Sequence, residues 1–355
     1  MLLVSKTQPT LAVVVPCFNE EAVLPETIRR IRAQLDRLIE RQAISPDSFM
    51  LFVDDGSSDS TWPIIVAYGE RDAAVRGVKL ARNAGHQHAL LAGLLHAKEA
   101  ADCVISIDAD LQDDVEAFEA FIERYKEGCE IVYGVRAARA EDTWFKRETA
   151  NAFYALMKRM GTPVIPNHAD YRLMSARAIG QLACYGESNL FLRGLIPQLG
   201  LRSSTVAYDR RSRFAGESKY PLRKMISFAW NGITSLSVAP IRLVLGTGLA
   251  LFAASVAAGG YALYAHGRGA AVPGWTSMML TAWLLGGIQL ICLGVVGEYV
   301  GKVYKETKRR PRYFIEATAM GDSEPRSRPK PSAPGAEALA AQDALIERQA
   351  ADLLH

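Results

Sequence analysis

Cysteine is scarce in this sequence, and the cysteines present have no spacing typical of a disulfide framework or a zinc site. The 355 residues include five cysteines, and no two of them form a C-x-x-C pair. They are Cys17, Cys103, Cys129, Cys184 and Cys292. Scattered single cysteines are typical of proteins whose thiols stay reduced, so we predict neither structural disulfides nor bound zinc.

A strong charge imbalance is also missing. The formal net charge is +3, which is too small to indicate a nucleic-acid partner. Residues 1–15 have no basic region followed by a long apolar core, so no signal peptide is predicted. No internal repeat is visible, and the length is sufficient for one large domain or two.

Charged residues are absent from two long apolar stretches. Residues 243–265 and 275–297 contain no Asp, Glu, Lys or Arg. As helices, both are long enough to cross a hydrocarbon core of about 30 Å. We predict a two-helix transmembrane hairpin within residues 241–300, and the alternative is a helix pair buried in a soluble protein.

Basic residues flank this hairpin, whereas the loop that connects its two helices contains one basic residue, Arg268. The flanking residues are Arg223, Lys224, Arg242, Lys302, Lys305, Lys308, Arg309 and Arg310. Because positively charged flanks stay on the cytoplasmic side, we predict a multi-pass protein of the inner membrane. Both termini and the domain preceding the hairpin are expected in the cytoplasm.

The segments around the hairpin differ in composition. Residues 221–240 mix apolar and polar side chains, which predicts an amphipathic helix on the membrane surface or, alternatively, a core helix. Residues 301–320 form a basic cytoplasmic segment. Beyond Phe314 the chain is polar and rich in Ala and Pro, so we predict disorder there and assign residues 321–355 to a disordered tail.

The first 220 residues alternate short apolar runs with helical patterns. Strands are predicted at residues 11–15, 49–53, 75–80, 103–107 and 130–134. This alternation is typical of an α/β domain with a mainly parallel sheet. Ligands of such sheets bind at the carboxyl ends of the strands, where Asn19, Asp54, Asp55, Arg82 and Asp108 are all expected.

Asp108 and Asp110 follow one of these strands. Side chains two apart in an extended backbone point to the same side, so the two carboxylates can converge on one point. Such a pair suits Mg²⁺ or Mn²⁺ better than zinc. The structural alternative is that these acids, with Asp113 and Asp114, merely end the strand and begin the next helix.

Three other polar patterns have open interpretations. His86 and His88 at a helix start suit local hydrogen bonds or support of a nearby pocket better than metal binding. The charged run that begins at Arg136 is either a solvated face or a phosphate contact. The basic loop of residues 210–220 can gather cations around a phosphate.

Three motifs appear in order at the ends of the predicted strands, and two more follow. They are Pro16-Cys17-Phe18-Asn19-Glu20-Glu21, Asp54-Asp55-Gly56-Ser57-Ser58-Asp59, Asp108-Ala109-Asp110-Leu111-Gln112, Asp170-Tyr171-Arg172-Leu173-Met174-Ser175 and Arg213-Phe214-Ala215-Gly216-Glu217-Ser218-Lys219-Tyr220-Pro221. Together they resemble the GT-A glycosyltransferases of family 2, in particular the polyprenyl-phosphate glycosyltransferases of the GtrB and dolichol-phosphate mannose synthase type. The resemblance implies a GT-A (Rossmann-like) catalytic domain at residues 1–220.

The resemblance implies roles for individual residues. A nucleotide-sugar site is expected at Pro16, Asn19, Glu20, Asp54, Asp55, Arg82 and Asp108. Mg²⁺ or Mn²⁺ is expected on Asp108, Asp110 and Gln112. A lipid phosphate is expected at Arg136, Arg211, Arg213, Ser218 and Lys219. The catalytic residues are then Asp110, Asp170, Arg211, Arg213 and Lys219.

The implied activity is inverting transfer of a hexose, first glucose from UDP-glucose, to polyprenyl (undecaprenyl) phosphate. The alternatives are a GDP-mannose or modified-arabinose UDP donor, a processive polysaccharide synthase, and a membrane-tethered scaffold that binds nucleotide sugar without turnover. The Gln-x-x-Arg-Trp motif of processive synthases is not visible. Small residues in the apolar stretches also leave room for a homo-oligomer.

Overall fold

The structure is a computed structural model that describes residues 8–136, 168–187, 190–209, 234, 238–268 and 274–319. Several predictions concern residues outside these ranges and stay predictions. They involve Arg211, Arg213, Ser218, Lys219, most of the amphipathic segment 221–240, and the tail 321–355.

The described part of the chain is built around an eight-stranded sheet. Its strands are β1 Leu11–Cys17, β2 Phe49–Asp54, β3 Val75–Leu80, β4 Cys103–Ser106, β5 Ile131–Arg136, β6 His168–Ser175, β7 Ser203–Tyr208 and β8 Ile315–Ala319. Their order is β7-β5-β6-β4-β1-β2-β3-β8. Six strands run in the same direction, while β6 and β8 are antiparallel to their neighbours. This confirms the predicted α/β class with a mainly parallel sheet.

Helices cover both faces of the sheet. They are α1 Leu24–Glu40, α2 Thr61–Gly69, α3 His86–Ala97, α4 Phe118–Lys126, α5 Ala176–Ala183 and α6 Leu192–Leu195, with 3-10 turns at Val115–Ala117 and Ile196–Leu199. One apolar core contains residues of α1 and α4, and a second contains residues of α3 and α5. The sheet therefore forms the middle of three layers.

The alternation of side chains along β1 explains these two cores. Val13 and Val15 belong to the first core, whereas Val14 belongs to the second. A continuous apolar run therefore serves both faces of a buried parallel strand. Gly93 brings α3 close to the sheet, because a Cβ at this position would lie 2.4 Å from Cγ1 of Val14.

Two long helices follow the sheet domain, α7 Ala239–Gly267 and α8 Trp275–Thr307. Within them, Pro240–Ala258 and Leu284–Thr307 are long and apolar enough to cross a membrane, by length and composition, and neither stretch is buried. Both helices extend beyond the apolar stretches found in the sequence, and α8 continues into its basic flank.

The chain returns from α8 to the sheet, which the sequence did not lead us to expect. We predicted disorder beyond Phe314, but β8 pairs with β3 there in an antiparallel register. The backbone N–H of Ala81 donates to the carbonyl of Phe314 at 2.9 Å. This strand has five residues, with Ile315 as its one large apolar side chain, and it gains order because β3 offers an unpaired edge.

Candidate active site

The loops after β1 and β2 are joined by hydrogen bonds. The backbone N–H of Asn19 donates to Oγ of Ser57 at 2.9 Å, and Oδ1 of Asn19 accepts from the N–H of Ser58 at 2.9 Å. The N–H of Glu20 donates to Oγ1 of Thr61 at 2.9 Å. Asn19 has a φ of +56°, which asparagine tolerates better than most residues. Asn19 and Glu20 are thereby fixed beside the end of β2.

Asp54 is the last residue of β2, Asp55 follows it directly, and both are buried. The carboxylate of Asp55 accepts from the N–H groups of Ala84 and Gly85 at 2.7 and 2.9 Å. Burial raises the pKa of Asp55, and these two hydrogen bonds oppose the shift. Asp54 is 0% exposed, and its Oδ2 has no hydrogen-bond partner among the described residues. Unsatisfied buried oxygens of this kind are rare in folded proteins.

Gly56 lets the loop after β2 touch the loop after β3. Its φ is +70°, and a Cβ there would lie 2.7 Å from the carbonyl carbon of Arg82. No residue with a side chain fits without a backbone shift. Arg82 is exposed at this contact, so it lies at the same edge of the sheet as Asp54 and Asp55.

The loop after β4 presents alternate residues to the outside. Ala109 and Leu111 are buried, whereas Asp108, Asp110 and Gln112 are partly exposed. Oδ1 of Asp110 accepts from the N–H of Gln112 at 3.2 Å. The loop therefore directs two carboxylates and an amide away from the core, which agrees with the alternation expected from the sequence.

Asp113 does not play the helix-start role that its position suggests. Asp114 does cap the turn that follows, accepting from the N–H of Glu116 at 3.3 Å. Asp113 instead is buried and accepts from the hydroxyl of Tyr208 at 2.6 Å. Nε of Arg136 lies 3.4 Å from the same hydroxyl. Burial raises the pKa of Asp113 to about 6, although the bond from Tyr208 opposes the shift.

His86 lies between two acids of the site. Its Nε2 is 3.7 Å from Oδ1 of Asp108 and 3.5 Å from Oδ2 of Asp170. Burial opposes the imidazolium, but the hydrogen bond with Asp170 and the charge of Asp108 raise the pKa of His86. His88 differs, because its Nδ1 contacts the carbonyl of Ala84 at 2.9 Å. These contacts fit the local and supporting roles predicted for the two histidines.

Asp170 reaches this edge because β6 is antiparallel to β4, so that the start of β6 meets the end of β4. Arg193 donates Nε to Oδ1 at 3.2 Å and a terminal nitrogen to Oδ2 at 3.1 Å. Arg172, fully buried, donates to Oδ1 as well. Burial alone would raise the pKa of Asp170. The pKa is nevertheless held well below its usual range by the charge of Arg193, the hydrogen bond from His86 and the charge of Arg172.

Arg193 and Gln87 were not identified from the sequence. Gln87 donates Nε2 to Oδ2 of Asp170 at 3.4 Å and accepts from the N–H of Leu192 at 3.1 Å. Both residues belong to helices, and neither is part of a sequence motif that indicates a functional site. Their partners are distant in sequence, so only the fold reveals the cluster.

The predicted residues that the structure describes mostly gather at one edge of the sheet. These are Asn19, Glu20, Asp54, Asp55, Arg82, Asp108, Asp110, Gln112, Arg136 and Asp170, while Pro16 is buried within β1. In the described ranges, no group of three or more His, Cys, Asp or Glu side chains is placed to hold a metal ion. Any ion held by Asp108 and Asp110 therefore needs further ligands, such as the oxygens of a bound phosphate.

Comparison with known proteins identifies two regions of the chain. Residues 12–196 match the family described as glycosyl transferase family 2, and residues 239–303 match the GtrB C-terminal hairpin. The second match covers most of α7 and α8. The sheet domain and the hairpin thus match two separate families, in the order that the sequence resemblance implied.

Relatives match over nearly their whole length. The uncharacterized glycosyltransferase YkoT of Bacillus subtilis is 53% identical, over 88% of this chain and 92% of the relative. The SfII prophage-derived bactoprenol glucosyl transferase of Shigella flexneri is 37% identical, over 88% of this chain and 99% of the relative. Among solved structures, glucosyl-3-phosphoglycerate synthase of Mycobacterium tuberculosis is 21% identical, with a TM-score of 0.43, over 65% of this chain and 80% of that chain.

The two relatives align across both the sheet domain and the hairpin, so the similarity is not confined to a shared fold. The family match alone covers more than half of the chain. The chain is therefore a glycosyltransferase that belongs to family 2 and has a GtrB-type C-terminal hairpin.

Proposed function

We propose that this enzyme transfers glucose from UDP-glucose to the phosphate of a polyprenyl phosphate at the membrane surface. The observation that carries this proposal is the alignment with a bactoprenol glucosyl transferase over 99% of its length. Bactoprenol is a polyprenol, and an acceptor of that kind is anchored in the bilayer. A soluble donor site joined to an apolar hairpin suits such a pair of substrates.

The nucleotide is proposed to bind at the ends of β1, β2 and β3. Asp54 and Asp55 lie at the end of β2, and Asp55 joins that end to the loop after β3 through the amides of Ala84 and Gly85. Asn19, Glu20, Asp55 and Arg82 surround the same edge and form the rest of the proposed nucleotide site, with Pro16 beneath it in β1.

A divalent cation, Mg²⁺ or Mn²⁺, is proposed to bind at Asp108, Asp110 and Gln112. Burial raises the pKa of Asp108, and the charges of Asp170 and Asp110 raise it further. Crowded carboxylates of this kind fit a cation, which relieves their repulsion. When bound, the ion supplies neutralisation of the negative charge that develops on the departing diphosphate.

The transfer needs no strong general base. The acceptor is a phosphate monoester with a second pKa near 6, so it is largely dianionic at neutral pH. One of its oxygens attacks the anomeric carbon, the bond from that carbon to the UDP oxygen breaks, and UDP leaves with the electron pair. Such an in-line displacement inverts the anomeric configuration.

Asp170 is proposed to position cations and not to accept a proton. Two arginines already hold its carboxylate, and its pKa is well below the usual range. A base with so low a proton affinity contributes little at neutral pH.

The lipid phosphate is proposed to meet Arg136, at the end of β5, together with residues of the basic loop. Those residues, Arg211, Arg213, Ser218 and Lys219, lie outside the described ranges. Their cations would offset repulsion between the acceptor phosphate and the donor diphosphate.

The hairpin is proposed to span the inner membrane with the sheet domain in the cytoplasm. In support, β8 follows α8 and pairs with β3. A chain that leaves a sheet, enters a membrane and returns to that sheet must cross the bilayer an even number of times.

A panel of donors tests the proposal. The purified protein is incubated with undecaprenyl phosphate, a divalent cation and one donor at a time. The donors are UDP-glucose, dTDP-glucose, GDP-mannose and a modified-arabinose UDP donor, and the lipid product is identified and quantified by mass spectrometry. We expect undecaprenyl-phosphate-glucose from UDP-glucose as the main product. A larger yield with GDP-mannose or the arabinose donor would contradict the assigned sugar, and chains of several sugars would indicate a processive synthase.

A further inference from the structure

The end of α8 carries a group of exposed basic side chains. Residues 305–310 contain four basic residues and one acidic residue. The basic side chains are all exposed, and we call them the basic collar: Lys305, Lys308, Arg309 and Arg310. In the ranges that the structure describes, no carboxylate forms an ion pair with any of these four side chains. The basic collar is therefore an exposed patch of net positive charge.

The charge-free part of α8 places the basic collar at one surface of the bilayer. Residues 275–297 form a helix about 35 Å long, which is enough to cross a hydrocarbon core of about 30 Å. Lys305 follows about 12 Å further along the helix axis, at the level of the outer headgroups. Because helical side chains lean toward the N-terminus of their helix, the side chain of Lys305 leans back toward the bilayer. A lysine stem can reach the headgroups in this way.

Apolar side chains continue along α8 as far as the basic collar. Val300, Val303 and Tyr304 are all largely exposed. Nζ of Lys308 lies 4.1 Å from the centroid of the Tyr304 ring, one turn earlier in the chain. The side chain of Lys308 is thus directed toward the apolar part of the helix. A tyrosine next to cations at the end of an apolar helix is typical of a membrane–water interface.

The basic collar is joined to the sheet domain by a short connection. α8 ends at Thr307, within the collar. Just beyond the collar, Arg312 donates to the carbonyl of Tyr185 in the sheet domain. β8 then begins at Ile315 and pairs with β3. A lipid held by the basic collar would therefore keep this edge of the sheet domain close to the bilayer.

We infer that the basic collar binds the headgroups of anionic phospholipids where α8 leaves the bilayer. Groups of Lys and Arg next to a transmembrane helix are attracted to anionic lipids, and the attraction falls off within a Debye length. The partner is a bulk phospholipid and not the polyprenyl phosphate acceptor, which is proposed to bind at Arg136 and the basic loop. The inference goes beyond the proposed transfer reaction, and its test needs no sugar donor.

Thermal unfolding in a neutral detergent tests the inference. The purified protein is melted alone, with phosphatidylglycerol, with phosphatidylcholine and with undecaprenyl phosphate. The collar variant carries the substitutions Lys305→Gln, Lys308→Gln and Arg310→Gln. Arg309 is left unchanged because its φ is +45°, so that a substitution there could disturb the end of the helix.

A matched control variant removes the same charge from the sheet domain. Its substitutions are Arg71→Gln, Lys126→Gln and Arg177→Gln, at three exposed positions. The quantity compared is the change in melting temperature when lipid is added. A variant that is less stable without lipid therefore still gives a valid comparison. If the triple collar variant does not fold, Arg310→Gln alone is compared with Arg71→Gln.

We expect phosphatidylglycerol to raise the melting temperature of the unaltered protein by about 3 °C or more, and phosphatidylcholine to leave it nearly unchanged. The collar variant should lose most of this rise, whereas the control variant should keep it. Undecaprenyl phosphate should stabilise both variants alike. Raising the NaCl concentration from about 0.05 M to about 0.5 M should reduce the effect of phosphatidylglycerol, because salt screens exposed charges.

Two results would overturn the inference. One is an equal rise in melting temperature with phosphatidylglycerol and with phosphatidylcholine. The other is a collar variant that responds to phosphatidylglycerol as strongly as the control variant does. If that collar variant also loses its response to undecaprenyl phosphate, the basic collar belongs to the acceptor site instead. A failure of glucose transfer would refute the proposed function alone, since these melting shifts do not depend on it.

Discussion

At the residue scale, Asp113 combines full burial with a carboxylate that has one strong hydrogen-bond donor. Tyr208 donates to it at 2.6 Å, and Tyr208 also meets Tyr171 edge to face, with ring centroids 4.9 Å apart. Tyr171 in turn donates to the carbonyl of Asp114 at 2.7 Å. Two tyrosines from β6 and β7 therefore fix the far end of the loop that carries Asp108 and Asp110.

The raised pKa of Asp113 makes stability depend on pH. Its pKa moves from 3.8 to about 6 on folding, so the folded protein binds this proton more tightly than the unfolded chain. The contribution of Asp113 to the free energy of unfolding is fully present below about pH 4. It is lost as the pH rises through about 6, and the loss is on the order of 3 kcal/mol.

We predict that Asp113→Asn removes this dependence. Asparagine still accepts the bond from Tyr208 but has no charge to bury. The melting temperature of the variant, relative to the unaltered protein, should therefore rise between about pH 4 and pH 7 in metal-free buffer. A difference in melting temperature that stays constant over this range would contradict the assignment.

At the scale of elements, the close approach of α3 to the sheet places His86 and Gln87 at the site. Gly93 permits this approach, since a Cβ there would lie 2.4 Å from Val14 and 2.7 Å from Val53. The helix begins at His86, directly after the Ala84 and Gly85 amides that bind Asp55. Displacing α3 would therefore disturb both the nucleotide edge and the Asp170 cluster.

We predict that Gly93→Ala destabilises the protein by about 1–3 kcal/mol through overpacking. The matched control is Gly180→Ala in α5, where nothing lies within 4 Å of the added Cβ. That substitution should be neutral or stabilise by about 0.5–1 kcal/mol, because alanine favours a helix over glycine. Equal melting temperatures for both variants would show that α3 has room to move.

The sequence predicted the central elements well, because they are long or continuously apolar. β1, β2 and β4 are apolar runs between turn signals, and the acids that follow them lie where parallel strands place them. In contrast, β8 is short, with Ile315 as its one large apolar residue, and it is held by its pairing with β3 and by the ion pair between Lys79 and Glu316. The contacts of Asp113 with Tyr208 and of Asp170 with Arg193 join residues 95 and 23 positions apart, so no local pattern reveals them.

At the scale of the whole molecule, the segment after the hairpin ties α8 to the sheet domain. Arg312 donates to the carbonyl of Tyr185, and Lys79 of β3 pairs with Glu316 of β8 at 3.1 Å. β8 begins opposite Leu80, at the end of β3 that leads to Arg82. The chain therefore leaves the hairpin at the same edge of the sheet that carries the proposed donor site.

We predict that both ends of the hairpin lie on the cytoplasmic side. Cys184 is exposed in the sheet domain, and Ala270→Cys introduces a thiol between α7 and α8. In intact cells, a membrane-impermeant maleimide should label the introduced thiol, whereas Cys184 should react only after permeabilisation. Labelling of Cys184 in intact cells would place the sheet domain outside and contradict the proposed orientation.

Transfer of glucose from UDP-glucose to undecaprenyl phosphate, measured with and without a divalent cation, tests the central claim most directly. We expect the unaltered protein to form undecaprenyl-phosphate-glucose with Mg²⁺ or Mn²⁺, to stop in excess EDTA, and to resume when the cation is restored. Asp110→Asn should reduce the rate by at least about 100-fold, while Asp36→Asn, on the surface of α1, should leave it unchanged. Undiminished transfer in EDTA or by Asp110→Asn would contradict the account.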